Sequence, residues 1–328
     1  YRTRTEMDRA DRLLAVLADG GVHSGAALGA SLGVTRAAVW KLVRQLRNDG
    51  APIAADAGTG YRLETPLEPL DSDAIAGRWT ATTRAVVTQP RIRRVVDSTN
   101  ARLFTEIDRL SHPVVLFAEA QTAGRGRRGR AWHSPFGRNL YLSIAWPFDD
   151  VPGGMAGLSL VAGMAVARVL QHHGLAQIGL KWPNDLVVGG AKLGGVLVEI
   201  QGEPTGPCGA VLGLGLNLDL SDAPGVDQPW TTLRRQLPTW PGRNRLAGEI
   251  SDALVQGLLR FQESGFAPFL PDWAVFDALR GHAITLVIGE RELIGTACGV
   301  DATGSLLVDC GDGPQPWSAG EVTVRAQQ

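Results

Sequence analysis

The chain has 328 residues, 44 % hydrophobic and 20 % charged, with a formal net charge of -1. That length allows two or three domains, and the near-neutral balance excludes a wholly basic nucleic-acid coat, so any nucleic-acid surface must be local. Three widely spaced cysteines, Cys208, Cys298 and Cys310, form neither a zinc pattern nor a disulfide framework, no signal-peptide core opens the chain, and the most apolar stretch (151–167) is glycine-interrupted and shorter than the ~20 residues a bilayer needs, so a cytoplasmic protein without membrane contact is expected.

Arg9 to Ala18 carries Leu13, Leu14 and Leu17 at helical spacing, and Gly20-Gly21 ends it. Ser24 caps a short second helix with Leu28 and Leu32, Gly33-Val34 turns, and Thr35 caps a third helix over Arg36 to Asn48. Val39, Val43 and Leu46 share its core face, while Arg36, Ala37, Trp40, Lys41 and Arg44 project from the other side. This is a helix-turn-helix pattern whose second helix opens with a small, basic turn suited to the major groove, making Thr35, Arg36, Ala37, Trp40, Lys41 and Arg44 the candidate DNA-binding residues. Gly58-Thr59-Gly60 turns a hairpin within Ala57 to Leu63, which completes a winged helix. The alternative is a three-helix interaction module without DNA; charge on the expected face favours DNA.

Thr65 to Leu70, with two prolines, reads as a linker. Asp71 to Gly77 is a candidate short helix, Arg91 to Val96 a strand, and Asp97-Ser98-Thr99-Asn100 the cap of a helix running to about Leu110. Capping alone explains those four residue types. Strand Val114 to Glu119 leads through Gln121 into Gly124 to Arg130, where three glycines alternate with four arginines. Glycine lets backbone approach an anion closely, and arginine offers a permanent charge and a planar fork. The pattern predicts a mobile cationic loop closing over a charged ligand. On its own it also reads as a solvated basic loop or a nucleic-acid patch. Its G-x-G-x-x-G match is discounted, because Arg130 to Pro135 prevents the helix that a dinucleotide fingerprint requires.

Asn139 to Trp146 alternates as a strand, and Met155 to His173 is a helix apolar on most sides. Lys181-Trp182-Pro183-Asn184-Asp185-Leu186 crowds a lysine, an amide and a carboxylate around a proline. Strands Leu186 to Val188 and Lys192 to Ile200 flank Gly189-Gly190, placing Lys192 at a hairpin mouth, where it needs an anionic partner if buried and none if exposed. Val211 to Leu218 is glycine-rich, as in a strand that lies against a backbone or ligand. Leu246, Ile250, Leu254, Leu258 and Phe261 mark a core-packing helix. From Gly281 onward the strands Ile284–Ile288, Glu292–Val300, Leu306–Cys310 and Val322–Arg325 suggest a small β-barrel.

These motifs together resemble the bacterial biotin–protein ligases, of the bifunctional kind that also represses the biotin operon. The resemblance covers nearly the whole chain. It rests on His23-Ser24-Gly25, Thr35 to Ala38, Gly58 to Tyr61, Asp97 to Asn100, Gln121 with Gly124 to Arg130, Ser134 to Gly137, Lys181 to Leu186, Lys192 to Gly195, Gly215 to Asn217, Pro316-Trp317 and Gly320-Glu321, in that order. It implies an α+β protein of three domains. They are a winged helix (1–66), a mixed-sheet catalytic domain like class II synthetases (67–277) and a small SH3-like barrel (278–328). It implies that biotin and ATP give biotinyl-5′-AMP, from which the biotinyl group passes to a lysine of the biotin carboxyl carrier protein.

By resemblance, Ser98, Thr99, Asn100, Gln121, Arg125, Gly126, Arg127 and Lys192 meet biotin. Arg127, Trp132, Lys181, Asn184 and Asn217 meet ATP, Trp132 by stacking on adenine. Lys181 and Arg125 carry catalysis, and Asp185 helps to hold Mg²⁺. The same resemblance implies an adenylate-bound homodimer on operator DNA. Trp40 departs from the family, whose best-known repressor has Asn there, as does Leu42, where it has His. An indole at position 40 could read a different sequence, stack on the sugar–phosphate backbone, or pack inward and void the DNA role. Two other classes compete. A non-enzymatic winged-helix sensor of biotin would not need Lys181, Asn184 and Asp185 beside the loop. An octanoyl transferase would need a cysteine in a catalytic motif, and for a lipoate ligase the loop followed by Trp132 is less apt.

Overall fold

The structure is a computed structural model that describes residues 8–56, 58–149, 151–202, 207–319 and 323–326. Ala57, Gly320-Glu321 and Val322, used in the sequence reading, lie outside the described residues.

The N-terminal unit is built from α1 (Arg9–Leu17), α2 (Gly25–Leu32), α3 (Arg36–Asn48) and the antiparallel pair β1 (Ile53–Asp56) and β2 (Gly60–Leu63). Each helix starts on a capping side chain: Asp8 accepts from the backbone N–H of Ala10 and Asp11, Ser24 from that of Ala27, and Thr35 from that of Ala38. Gly33 ends α2 with a left-handed φ of 65°, which a β-carbon would disfavour. His23 and Tyr61 exchange backbone hydrogen bonds of 2.9 Å, so the strand before α2 joins the wing. Leu13, Leu17, Leu28, Val39, Leu46 and Leu63 form its core, and this core extends onto Ala120 and Phe136 of the central unit.

The central unit follows with α4 (Ser72–Ala76), α5 (Ala81–Val86), β3 (Arg91–Val96), α6 (Thr99–Phe104), β4 (Val114–Gln121), β5 (Asn139–Phe148), α7 (Leu158–His172), β6 (Ile178–Lys181), β7 (Asp185–Val188), β8 (Ala191–Gly202), β9 (Cys208–Asn217), α8 (Leu233–Gln236), α9 (Arg243–Ser264) and α10 (Leu270–Phe276). Seven strands form one mixed sheet in the order β3-β4-β5-β9-β8-β7-β6, parallel only between β3 and β4. Strand side chains alternate between faces. On one face Ile144, Leu212, Leu214, Leu216 and Val196 meet α7 and α9 in the main core. On the other, Leu116, Ala145 and Val211 meet Leu103 and Ile107 around α6.

Two sequence expectations change here. The helix expected to reach Leu110 stops at Phe104, and a separate 3-10 turn, Ile107–Arg109, follows. The break lets Ile107 enter the apolar cluster against Gly209 of β9, where no side chain stands in its way. The helix expected from Met155 begins at Leu158, because Gly153, Gly154 and Gly157 all have positive φ. The elements α5, β6, α8 and α10 had no sequence-based assignment.

The last unit holds β10 (Ala283–Ile288), β11 (Arg291–Val300), β12 (Leu306–Asp309), β13 (Pro314–Trp317) and β14 (Thr323–Ala326), in the order β13-β12-β11-β10-β14. The barrel is not closed: β13 and β14 are opposite edges, with no ladder between them among the described residues. Its apolar face (Ile284, Leu286, Ala297, Leu306 and Val308) belongs to the same core as α7 and α9. The sheet therefore covers its face by packing on the central unit rather than by curling around a core of its own.

Candidate active site

The site forms where β8 and β9 present odd-numbered residues to the α6 side of the sheet. On β9 that series is Gly209, Val211, Gly213, Gly215 and Asn217, while the leucines between them face the core. Ser143, Gly213 and Leu197 lie in one cross-strand row; Tyr141, Gly215 and Gly195 form the next. A methyl group at Gly213 would strike Asn100 Oδ1, and one at Gly215 would come within 2.5 Å of the Trp132 ring. The glycines are the floor on which these two side chains rest.

Above that floor, the first turn of α6 is wired to its neighbours. Ser98 caps the helix by accepting from Ala101 N–H. The backbone N–H and hydroxyl of Thr99 both donate to Gln121 Oε1, at 2.8 and 3.1 Å. Gln121 donates to Ser134 Oγ, which donates to the Trp132 carbonyl. Ser143 Oγ lies 2.7 Å from Thr99 Oγ1 and 2.6 Å from Asn100 Oδ1. Asn100 Nδ2 donates to Glu199 Oε2 at 2.9 Å and to the Leu197 carbonyl. Ser98, Thr99 and Asn100 are all buried. Buried polar groups satisfied in this way hold a rigid, uncharged recognition surface.

The Arg/Gly loop closes over this surface. Gly126 N–H donates to the Arg130 carbonyl, Arg125 bridges Ala131, and Arg128 sits at the tip with φ of 56°, the one positive value outside glycine among the described residues. Arg125 Nη2 reaches both carboxylate oxygens of Glu199, at 3.1 and 3.3 Å. Arg127 Nη2 donates to the Ala319 carbonyl of the C-terminal unit at 2.6 Å. Burial, with the charge of Arg128 beside it, pulls the Arg127 guanidinium below its ordinary range.

The far wall comes from β6 to β8. Lys181 and Asp185 face each other across the β6–β7 hairpin, whose Trp182–Pro183 bond is cis. Burial lowers the Lys181 pKa; Asp185 opposes the shift, while Lys192 and Arg130 add to it. Lys192 Nζ pairs with Asp185 Oδ1 at 2.7 Å and lies 5.5 Å from the Trp132 ring centroid. Lys192 is therefore the half-buried lysine with an anionic partner. Asn184 Nδ2 donates to the Val196 carbonyl and Asn217 Nδ2 to that of Thr231, so both amides brace the walls.

The loop, the first turn of α6 and the far wall line one cavity of about 580 Å³, within the usual range for a small-molecule site. It brings together Ser98, Thr99, Asn100, Gln121, Arg125, Gly126, Arg127, Trp132, Lys181, Asn184, Asp185, Lys192 and Asn217, which span more than a hundred positions of sequence. Six basic side chains line it, against the carboxylates of Asp185 and Asp227. Its uncharged end thus suits a neutral hydrogen-bonding ligand, and its basic end suits phosphates. The Trp132 indole N–H is buried without an acceptor among the described residues, an orphan donor of the sort that marks a ligand site. None of the three cysteines lines the cavity, and burial pushes the Cys208 thiol up. A cysteine-based acyl transfer has no nucleophile there.

The comparisons with known proteins agree with this geometry. The Biotin/lipoate A/B protein ligase family matches residues 92–217, an HTH domain matches 9–62, and the Biotin protein ligase C terminal domain matches 281–325. The Bifunctional ligase/repressor BirA of Salmonella typhimurium is 38 % identical, with 96 % of this chain and 97 % of that protein covered. The chain belongs to the biotin protein ligase family. A second relative, the biotin–(acetyl-CoA-carboxylase) ligase of Paracoccus denitrificans, is 33 % identical over 69 % of this chain and 96 % of its own. Among solved structures, the biotin protein ligase from Aquifex aeolicus in complex with biotin and ATP superposes with a TM-score of 0.62 at 27 % identity, covering 72 % of this chain and 99 % of that one.

The structure of this biotin protein ligase adds residues that the sequence did not single out. Glu199 and Ser143 hold the candidate ligand residues, as does Ser134 of the Ser134 to Gly137 motif, and Leu220 to Trp230 supply part of the wall. The Gly/Leu alternation of β9 was a signal for the floor. Nothing in sequence spacing pointed to Glu199, which meets Asn100 and Arg125 only through the fold.

On the winged helix, Thr35, Arg36, Ala37, Trp40, Lys41 and Arg44 are all exposed on one side of α3. Trp40 does not pack inward: 52 % of its surface is exposed.

Proposed function

We propose that the 580 Å³ cavity joins biotin to ATP and that the chain is an ATP-dependent, AMP-forming biotin–protein ligase and a DNA-binding repressor of biotin synthesis genes. A biotin carboxylate oxygen attacks the α-phosphorus of ATP; the bond to pyrophosphate breaks and biotinyl-5′-AMP forms. A lysine amine of the biotin carboxyl carrier protein then attacks the acyl carbon. AMP leaves, and the amine's proton passes to solvent. The observation that carries this reading is the union of a neutral, hydrogen-bonded pocket and a six-cation mouth in one cavity.

In this reading Ser98, Thr99, Asn100, Gln121 and Gly126 shape the biotin end. Arg125, Arg127 and Lys192 hold carboxylate and phosphate together against their mutual repulsion. Lys181 stabilises the α-phosphate as charge builds, Trp132 stacks on adenine, and Asn184 and Asn217 keep the phosphate walls in register. Among the described residues no group of three or more His, Cys, Asp or Glu side chains is placed to cage a metal. Asp185, half-buried at the basic end, would offer a single carboxylate to Mg²⁺. Bound there, the ion would neutralise charge on the phosphates; Lys192, now paired with Asp185, would hold the biotin carboxylate once that pair opens.

The units 1–66, 67–277 and 278–328 divide the labour into DNA binding, adenylation and covering of the loop. The adenylate-bound form is a homodimer on a palindromic operator. The edge strand β3, unpaired on its outer side among the described residues, offers a backbone for sheet extension between two copies. The protein works in the cytoplasm; no described helix is long and apolar enough to cross a membrane.

The test is a paired incubation with ATP, Mg²⁺ and either biotin or lipoate, following pyrophosphate and retained acyl-adenylate by mass spectrometry. A biotin-specific adenylate, formed at least a hundred-fold more slowly by Lys181→Ala and Arg125→Ala, is expected. No adenylate with either acid from a folded, biotin-binding protein would leave a sensor, and a lipoyl adenylate would make the chain a lipoate ligase.

A further inference from the structure

Five large hydrophobic side chains are exposed among the described residues: Val22, Trp40, Val275, Leu293 and Ile294. The one aromatic in that set stands on the helix that carries the DNA-facing charges. At about 100° per residue, Arg36, Trp40, Arg44, Ala37 and Lys41 fall in that order across an arc of roughly 140°. Val39, Val43 and Leu46 fall at roughly 280–340° on the same wheel and anchor the adjoining side in the core. Trp40 therefore faces the same direction as Arg36 and Arg44. The Arg44 guanidinium lies 5.6 Å from the centroid of the Trp40 ring, a cation–π contact that fixes the indole beside the next turn of the exposed face.

We propose that Trp40 reads thymine methyl groups in the major groove and is the specificity-determining residue of the winged helix. This rests on the DNA-binding reading given above. An indole face laid over the N7 and O6 of guanine, or over the amino group of cytosine, would desolvate groups that the face cannot bond, since its one donor, Nε1–H, lies at the ring edge. The C5 methyl of thymine is the apolar feature that the major groove offers. Arg36, Lys41 and Arg44 bring charge to the phosphates on either side and fix register without reading sequence. A ring stacked on the sugar–phosphate backbone would leave the groove-facing first turns of α3 with the small Ala37 as their only apolar reader.

The experiment starts from the full-length protein loaded with biotin, ATP and Mg²⁺, which selects duplexes from a random-sequence library. The selected duplex is then made with thymine replaced by uracil, position by position, and binding is followed by fluorescence anisotropy. The expected result is an affinity loss of about four-fold for each methyl that Trp40 covers. Trp40→Ala should bind the thymine and uracil duplexes alike, with an unchanged salt dependence, because no phosphate contact is lost. Trp40→Phe should keep part of the discrimination. Adenylate formation by both variants should equal that of the parent, which confirms that they are folded. Equal binding of thymine and uracil duplexes by the parent, with Trp40→Ala weakened on both, would place the ring on the backbone and overturn this inference alone. No duplex binding by the parent even at low salt would overturn the DNA reading with it.

Discussion

At the residue scale the site depends on groups whose behaviour follows from burial. Lys181 carries a pKa lowered first by desolvation, with Lys192 and Arg130 nearby. A lowered pKa means that the ammonium is lost earlier as pH rises, below the ~10.4 of an ordinary lysine. Adenylate formation should therefore fall on the alkaline side at a pH where other lysines are still charged. In Lys181→Arg, whose guanidinium stays protonated, that alkaline limb should move upward even if the rate is lower; single-turnover pH profiles would decide, and an unmoved limb would assign it to another group. Gly213→Ala tests the floor. Its methyl displaces Asn100, so the KM for biotin should rise about ten-fold or more while the KM for ATP changes little, a split measurable in steady-state kinetics. Glu199→Gln removes the charge that holds Arg125. Arg125 is nearly half exposed, so screening limits the pair to about 1 kcal/mol or less, and biotin affinity should fall by about five-fold or less. Protease cleavage within Gly124 to Arg130 should become faster in the same variant, and an unchanged cleavage rate would show that Glu199 does not hold the loop.

At the scale of elements the linker does more than connect. Glu119 on β4 and Arg243 at the start of α9 form a charge pair with each side chain only 3 % exposed. Leu70 N–H donates to Glu119, and Arg243 also donates to the carbonyls of Glu68 and Asn139. Glu68 in turn accepts from the first backbone N–H groups of α9, which has no capping side chain at Gly242. The chain between the winged helix and the catalytic sheet is thus bound to β4, β5 and α9 at once. Removing one member leaves a buried, uncompensated charge, so Glu119→Ala should cost about 3–5 kcal/mol in denaturant unfolding. Replacing both residues with apolar side chains of similar volume should restore most of that, and a double variant no better than the single one would show that the backbone contacts, not the charge pair, dominate.

For the whole molecule the decisive contact is Arg94 on β3. Its guanidinium meets Asp8 at 2.7 Å, Asp11 at 2.7 Å and Asp49 at 3.0 Å, so one catalytic-unit side chain holds three carboxylates of the winged helix. The strand ends two residues before Ser98, and the carbonyls of Val96 and Asp97 accept from Thr122 and Ala123 before the Arg/Gly loop. This clasp ties the orientation of the DNA-reading helix to the strand that leads into Ser98 to Asn100 and lies beside β4, from which the Arg/Gly loop departs. Arg94→Ala should leave adenylate formation within about two-fold of the parent while weakening duplex binding about ten-fold and loosening the two units in small-angle scattering; unchanged scattering and binding would show that the apolar contact at Phe136 alone sets the orientation. Burial pushes the Asp8 carboxyl up, but the bond and charge of Arg94 together with the backbone N–H groups of Asp11 and Ala10 outweigh that, and the net shift is downward. A carboxylate with a lowered pKa keeps its contribution above the ordinary aspartate value of ~3.9 and loses it as pH falls through the folded value. The clasp should therefore survive at pH 5 and release only below that range.

The sequence alone determined the helix boundaries of the winged helix, because its caps Ser24 and Thr35 and its core positions Val39, Val43 and Leu46 act within a few residues of one another. It determined the strands on either side of Gly124 to Arg130 and the one that follows Lys181 to Leu186 for the same reason, whereas the candidate ligand residues came from the family resemblance of motifs that each sit on one turn or hairpin. The tertiary structure decided what depends on distant partners. Whether Lys192 is exposed or paired was settled by Asp185 across a bulged strand pair. The early end of α6 depended on room for Ile107 above Gly209, and the open C-terminal sheet on the apolar face of α7 that covers it. The outward face of Trp40 was decided by the packing of Val39, Val43 and Leu46. Glu199 and Arg94 acquire their partners only when strands far apart in sequence are laid edge to edge, since an ion pair is a matter of ångströms and carries no local period for the sequence to display.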